Sequence, residues 1–285
     1  MAKSKPRYKR VAQLKTTEDF KEYVQQLDLD LPFKEVMSEP ASSSLARPVD
    51  LASGKSIGNR FCILPMEGWD GTPDGLPTEL TKRRWHNFAS SGAKLLWGCE
   101  AVAVRPEGRA NPNQLMINPK TIGSLKQLYD EVLDIHQQKF GDVSDLQVGL
   151  QLTHSGRFAR PEKGKNGQPI ILYRHSVLDR KLGLPNDYPL MTDEDIDHLV
   201  EDFVIAAEMA AGAGFDFVDI KHCHGYLGHE FLSAFNRPGK YGGDLQGRTN
   251  FLRSVVSGIQ STSKIDIGVR VSAFDWIPFK PPCCA

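Results

Sequence analysis

The chain has 285 residues, 40% hydrophobic and 25% charged, which suits one large domain or two small ones of ordinary globular composition. Its 35 basic and 35 acidic residues cancel, which argues against a broad polyanion-binding surface and against nucleic acid as a partner. No apolar run is long enough to span a bilayer, and the basic start "MAKSKPRYKR" is not followed by an apolar stretch, so neither a membrane segment nor a secretory signal is expected.

Residues 1–58 read as an N-terminal arm. Within it "TTEDFKEYVQQL" predicts one short helix with Thr16 or Thr17 as N-cap. The following "SEPASSSLARPVDLASGKS" carries too many turn formers for a regular element. From residue 59 to the end, strands alternate with helices. "RFCILPM" reads as a strand, "PTELTKRRWHNFASSG" as a helix and "AKLLWGCEAVAV" as the second strand. In "KTIGSLKQLYDEVLDIHQQKFG", Ile122, Leu125, Leu128, Val132 and Ile135 keep helical spacing. "LQVGLQLTH" is a third strand. "MTDEDIDHLVEDFVIAAEMAAGAG" is a helix opened by Thr192 with Asp195 three residues on, close to a capping box. "FDFVDIK", "RTNFLRSVVSGIQSTS" and "IDIGVRVSA" then supply strand, helix and strand.

This alternation implies βα units and a parallel sheet. In "FDFVDIK", Val218 and Ile220 are expected to face helices, while Phe217, Asp219 and Lys221 face the other way. Polar side chains turned inward at a strand's C-terminal end suit a (β/α)8 TIM barrel, incomplete here because only five of eight strands are legible. No GxGxxG follows the first strand, which weakens a dinucleotide-binding doubly wound sheet. Residues 157–190 separate the third strand from its helix, and a loop of that length suggests a lid over the mouth. Cys62, Cys99, Cys223, Cys283 and Cys284 are odd in number and contain no CxxC, which points to reduced thiols, most simply buried small residues, in a cytoplasmic protein.

"KHCHGYLGHEFLSAFNRPGKYGG", residues 221–243, concentrates the chemistry. As a metal site, His222, Cys223 and His224 would need His154 or His229 as well; nothing in the spacing points to those, so no metal is expected. Tyr226 alone reads as a half-buried tyrosine. Gln151 alone reads as a polar strand end. Arg270 on an inner strand face needs a partner if buried, and Asp219 is the structural answer that competes with a ligand. Glu67 and Glu100 as an acid pair for glycoside hydrolysis is a weaker reading.

"ILPM", "CEAVAV", "GLQLTHSGR", "HGYLGHEFLSAFNRPGKYGGDLQGR" and "IGVRVSA", in this order between residues 59 and 275, resemble the old yellow enzyme family of NADH:flavin oxidoreductases. The resemblance implies an FMN-dependent barrel that takes hydride from NADH or NADPH and reduces activated C=C bonds of enone-like small molecules. It implies that Pro65 and Met66 offer backbone groups along the flavin edge, that Ala101 is small to admit the ring, and that Gln151 serves the pyrimidine side. It places Arg270 near N1 and O2, where a guanidinium balances negative charge. Glu67 stands where the family usually has Thr or Cys, and a carboxylate there disfavours anionic reduced flavin unless protonated or paired. Lys221 stands where the family usually has His. Together with His224 it would donate to the substrate carbonyl, but as a mobile point charge, so a different substrate preference is expected. Tyr226 matches the tyrosine that protonates the α-carbon.

After "VRVSAFDW" the chain reads "IPFKPPCCA", with no phosphate-cradling loop in sight. The resemblance therefore implies a C-terminally truncated barrel. Its alternatives are a non-catalytic remnant that does not retain FMN and, from a third class, a metal-dependent hydrolase. A homo-oligomer is compatible with the sequence.

Overall fold

A computed structural model describes residues 8–36, 38–164 and 166–273. The chain divides into two compact units, Met1–Arg47 and Pro48–Ala285. The first contains α1 (Thr17–Gln26), capped by Thr16: its hydroxyl accepts from the Asp19 amide at 3.0 Å and the Asp19 carboxylate accepts from the Thr16 amide at 3.0 Å. Phe20 and Phe33 meet edge to face in this unit, 4.9 Å between centroids.

The division falls ahead of the boundary expected at residue 58, because a short antiparallel hairpin opens the second unit. Its strands are β1 (Val49–Asp50) and β2 (Ser56–Ile57), with Gly54 in the turn at φ +84°. Two-residue strands carry no alternation to read, so this stretch looked irregular in sequence. Leu51 and Ile57 then line a small cavity with Trp97 and Phe217 on the inner face of the sheet that follows.

That sheet contains β3 (Cys62–Ile63), β4 (Leu95–Leu96), β5 (Ala101–Ala103), β6 (Gln147–Thr153), β7 (Phe217–His222) and β8 (Asp266–Val271). Every pairing is parallel, in the order β3-β4-β6-β7-β8, with β5 also on β6. The expected second strand is thus broken into β4 and β5. Gly98 sits in the break at φ +72°, and a Cβ there would lie 3.0 Å from the Gln151 amide nitrogen of β6. Five strand positions in chain order, each parallel to the last, make the curled half of a barrel. β3 and β8 have one sheet neighbour each among the described residues.

Between the strands lie α2 (Glu79–Ala89), α3 (Ile122–Phe140), α4 (Ser176–Leu182), α5 (Asp193–Gly212), α6 (Leu227–Leu232) and α7 (Leu245–Thr262). The outward positions Val148, Leu150, Leu152, Val218 and Ile220 are buried with Leu125, Leu128 and Val132 of α3, Ile196, Leu199 and Phe203 of α5, and Phe251 and Val255 of α7. Each such side chain contributes about 1.5–3 kcal/mol of burial. On the inner face Phe217 lies beside Trp97, 5.2 Å between ring centroids, and a Cβ at Gly149 would fall 2.3 Å from the Phe217 ring. The polar inward positions Gln151, Asp219, Lys221 and Arg270 follow towards the C-terminal ends. Among the described residues no helix is long and apolar enough to cross a membrane.

Candidate functional site at the mouth of the sheet

The residues singled out from sequence come to one end of the sheet. Pro65, Met66 and Glu67 follow β3, Ala101 opens β5, and Gln151 lies in β6. Lys221 and Arg270 are register partners on β7 and β8, and His224 and Tyr226 follow β7. The turn after β3 is tied down from behind. The Ala101 amide donates to the Met66 carbonyl at 3.0 Å and the Gly68 amide to Glu100 Oε1 at 2.9 Å. Arg84 reaches Glu100 Oε2 at 2.7 Å and Asp70 Oδ1 at 2.8 Å. Glu100 is therefore a buried anchor for the turn, not half of an acid pair with Glu67.

Glu67 has partners of its own. The Lys221 ammonium donates to Glu67 Oε1, and the Tyr226 hydroxyl donates to Oε2 at 2.8 Å. The same ammonium lies 4.0 Å from the centroid of the Tyr226 ring. The carboxylate that the resemblance made troublesome is thus paired by the lysine that departs from the family pattern at a second position. Burial pushes the Tyr226 phenol well above its ordinary pKa, and the charge of Glu67 adds to the rise.

The turn carrying Tyr226 is tight. His224 and Gly225 take φ of +62° and +72°, a strained region for histidine. The His224 amide donates to Ser272 Oγ at 3.2 Å, the Gly225 amide to His229 Nδ1 at 2.9 Å, and the Leu227 amide to the His154 carbonyl at 3.1 Å. Burial, with the charges of Lys221 and Arg270, lowers the pKa of His224, which favours the neutral ring. His222 points away into the core against Phe251, and burial pushes it down to about 4. Cys223 is buried, and burial raises its thiol pKa. Among the described residues no group of three His, Cys, Asp or Glu side chains is placed to hold a metal ion. Cys62, expected buried, is exposed on the edge strand β3, while Cys283 and Cys284 lie outside the described residues.

On the inner face, Gln151 Nε2 donates to Asp219 Oδ2 at 2.5 Å, while Asp219 Oδ1 is buried without a hydrogen-bond partner. Asp219 is not the ion-pair partner of Arg270, and among the described residues Arg270 forms no ion pair. The guanidinium lies half-buried near the C-terminal end of β8, at the mouth. A half-buried cation and a side-chain amide as donors, beside a small residue and the Pro65–Met66 turn, fit a planar ring with carbonyl and ring-nitrogen acceptors.

In front of Tyr226 and His224 opens a cavity of about 660 Å³, also bordered by Trp69, Phe158, Arg160 and Lys181. Its far wall is drawn from the segment expected to act as a lid, with Phe158, Arg160, Gly167 and Pro169 from its start and Lys181 and Leu182 from α4. Arg157, fully buried, anchors that wall with bonds to Asp179 at 2.5 Å, Glu230 at 2.7 Å and the Tyr173 carbonyl at 2.7 Å. Sequence reasoning missed this anchor and the cavity's Trp69, Arg160 and Lys181. The buried arginine had a local cue in "HSGR", but its acids come from distant elements.

The family model of the NADH:flavin oxidoreductase / NADH oxidase family matches residues 44–280. The chain is 28% identical to an "NADH:flavin oxidoreductase" of Gibberella zeae over 254 residues, covering 84% of this chain and 59% of that protein. It is 35% identical to an "NADPH dehydrogenase" of Halalkalibacterium halodurans over 229 residues, covering 79% of this chain and 62% of the relative. Among solved structures it superposes on an Old Yellow Enzyme from Pichia sp. with a TM-score of 0.67 at 26% identity, over 83% of this chain and 61% of that one. The chain therefore spans about 60% of the length of these relatives.

Proposed function

The chain belongs to the NADH:flavin oxidoreductase / NADH oxidase family, whose cofactor is FMN, and from that membership we propose that it is an FMN-dependent NAD(P)H oxidoreductase of old yellow enzyme type reducing activated C=C bonds of enone-like substrates. The observation that carries this reading is the half-buried Arg270, which forms no ion pair among the described residues, on the same mouth as Gln151, Ala101 and Tyr226. When bound, FMN supplies the hydride relay between nicotinamide and substrate. Arg270 and Gln151 would hold its pyrimidine edge, where the guanidinium would balance negative charge. His224 and Lys221 donate to the substrate carbonyl oxygen. The Tyr226 O–H bond breaks as its proton forms a C–H bond at the α-carbon. Phe158 and Trp69 give the cavity in front of Tyr226 apolar walls.

Titration of FMN into the chain, followed by quenching of flavin fluorescence, tests the reading. Saturable binding is expected, and Arg270→Ala should weaken it by about tenfold or more, since a hydrogen bond to a charged group is worth about 1.5–3 kcal/mol. No saturable binding, or an unchanged affinity in Arg270→Ala, would overturn it.

A further inference from the structure

Glu67 and Lys221 reach the mouth from strands that are not neighbours in the sheet, yet one carboxylate serves two partners. Oε1 takes the Lys221 ammonium and Oε2 takes the Tyr226 hydroxyl at 2.8 Å. The Lys221 and Glu67 side chains are only 3% and 13% exposed. Either charge alone would be costly there, whereas together they sum to zero.

We propose that Glu67 is a positioning residue for Tyr226, and that Glu67 and Lys221 act as one charge-neutral unit that holds the phenol proton in place. The proposal rests on the reading of Tyr226 as the proton donor. The carboxylate fixes the direction of the O–H bond in the resting site. The ammonium, 4.0 Å from the ring centroid, offsets that negative charge and stabilises the phenolate left once the proton has gone to substrate, until water returns one. The other groups around the phenol are Cys223 just after β7, His224 in the same turn and Ser155 after β6. Arg270 on β8 acts on Cys223 and His224, and Phe158 presents an apolar ring 6.4 Å away. Glu67 is the acid in direct contact with the phenol, and Lys221 the cation.

The test is made on the full chain without FMN, so that a failure of the flavin reading leaves it intact. Ionisation of Tyr226 is read as the difference in phenolate absorbance between each protein and the same protein carrying Tyr226→Phe, with near-ultraviolet circular dichroism reporting the folded state. In the wild type Tyr226 should stay protonated through the ordinary phenol range near about 10. Glu67→Gln keeps an acceptor but removes the charge and leaves the Lys221 ammonium uncompensated. It should bring the ionisation down by more than one pH unit, and adding Lys221→Met should move it back up. Glu67→Asp keeps the charge, so Tyr226 should remain protonated there as in the wild type. The proposal is overturned if wild-type Tyr226 titrates near pH 10, if Glu67→Gln titrates as the wild type does, or if Glu67→Asp lowers the ionisation as far as Glu67→Gln does.

Discussion

His222 ends β7 with its ring in the core, 5.9 Å from Phe251, and both ring nitrogens are buried without a hydrogen-bond partner. Burial holds it near pKa 4, against 6.5 for the ordinary imidazole. The unfolded chain therefore takes up this proton first, so stability falls as pH drops from 7 towards 4. His154, fully buried and pushed down to about 3, acts in the same direction. Between pH 7 and pH 5 the His222 contribution amounts to about 2 kcal/mol. Urea unfolding of His222→Leu should show a loss across that interval smaller by this amount, and equal losses in variant and wild type would exclude the assignment. At this scale sequence showed residue types and departures but not partnerships. Glu67 and Lys221 stood out separately as residues of opposite charge in unexpected places. That one neutralises the other depends on two strand ends 154 positions apart in sequence, which no local spacing encodes.

Among the elements, helices with long periodic faces were the most legible. In α5 the Thr192 hydroxyl accepts from the Asp195 amide at 3.1 Å and Asp195 Oδ2 accepts from the Thr192 amide at 2.8 Å, the reciprocal cap that the residue spacing suggested. The inward and outward faces of β7 also follow the alternation read from "FDFVDIK". The short α4 and α6 escaped notice, being too brief to develop a helical period. α4 matters because it belongs to the cavity wall, and the wall depends on Arg157. Removing that guanidinium leaves Asp179 and Glu230 buried, with Arg174 at 2.8 Å the remaining cation on Asp179. Arg157→Met should cost about 3–5 kcal/mol of stability, as broken buried ion pairs do. Limited trypsin digestion should then cut first between Arg160 and Lys181; unchanged stability and an unchanged cleavage pattern would show that the wall is held by packing alone.

At the scale of the whole molecule, a parallel sheet read from alternating strands and helices is present, and its five strand positions run in chain order. The unit boundary was less legible, because a hairpin of two-residue strands leaves no period in the sequence. What the sheet does for chemistry is to bring residues from five strands to one mouth, with Arg270 on β8 and Tyr226 facing the cavity, proposed above to serve the ring and the substrate respectively. That division of labour is the central claim, and stopped-flow measurement of the two half-reactions of FMN-loaded protein tests it most directly. Tyr226→Phe should leave reduction by NAD(P)H within about twofold of wild type while slowing reoxidation by an enone by about 10²–10⁴-fold, the range for a lost general acid. Equal slowing of both half-reactions, or of neither, would contradict the account.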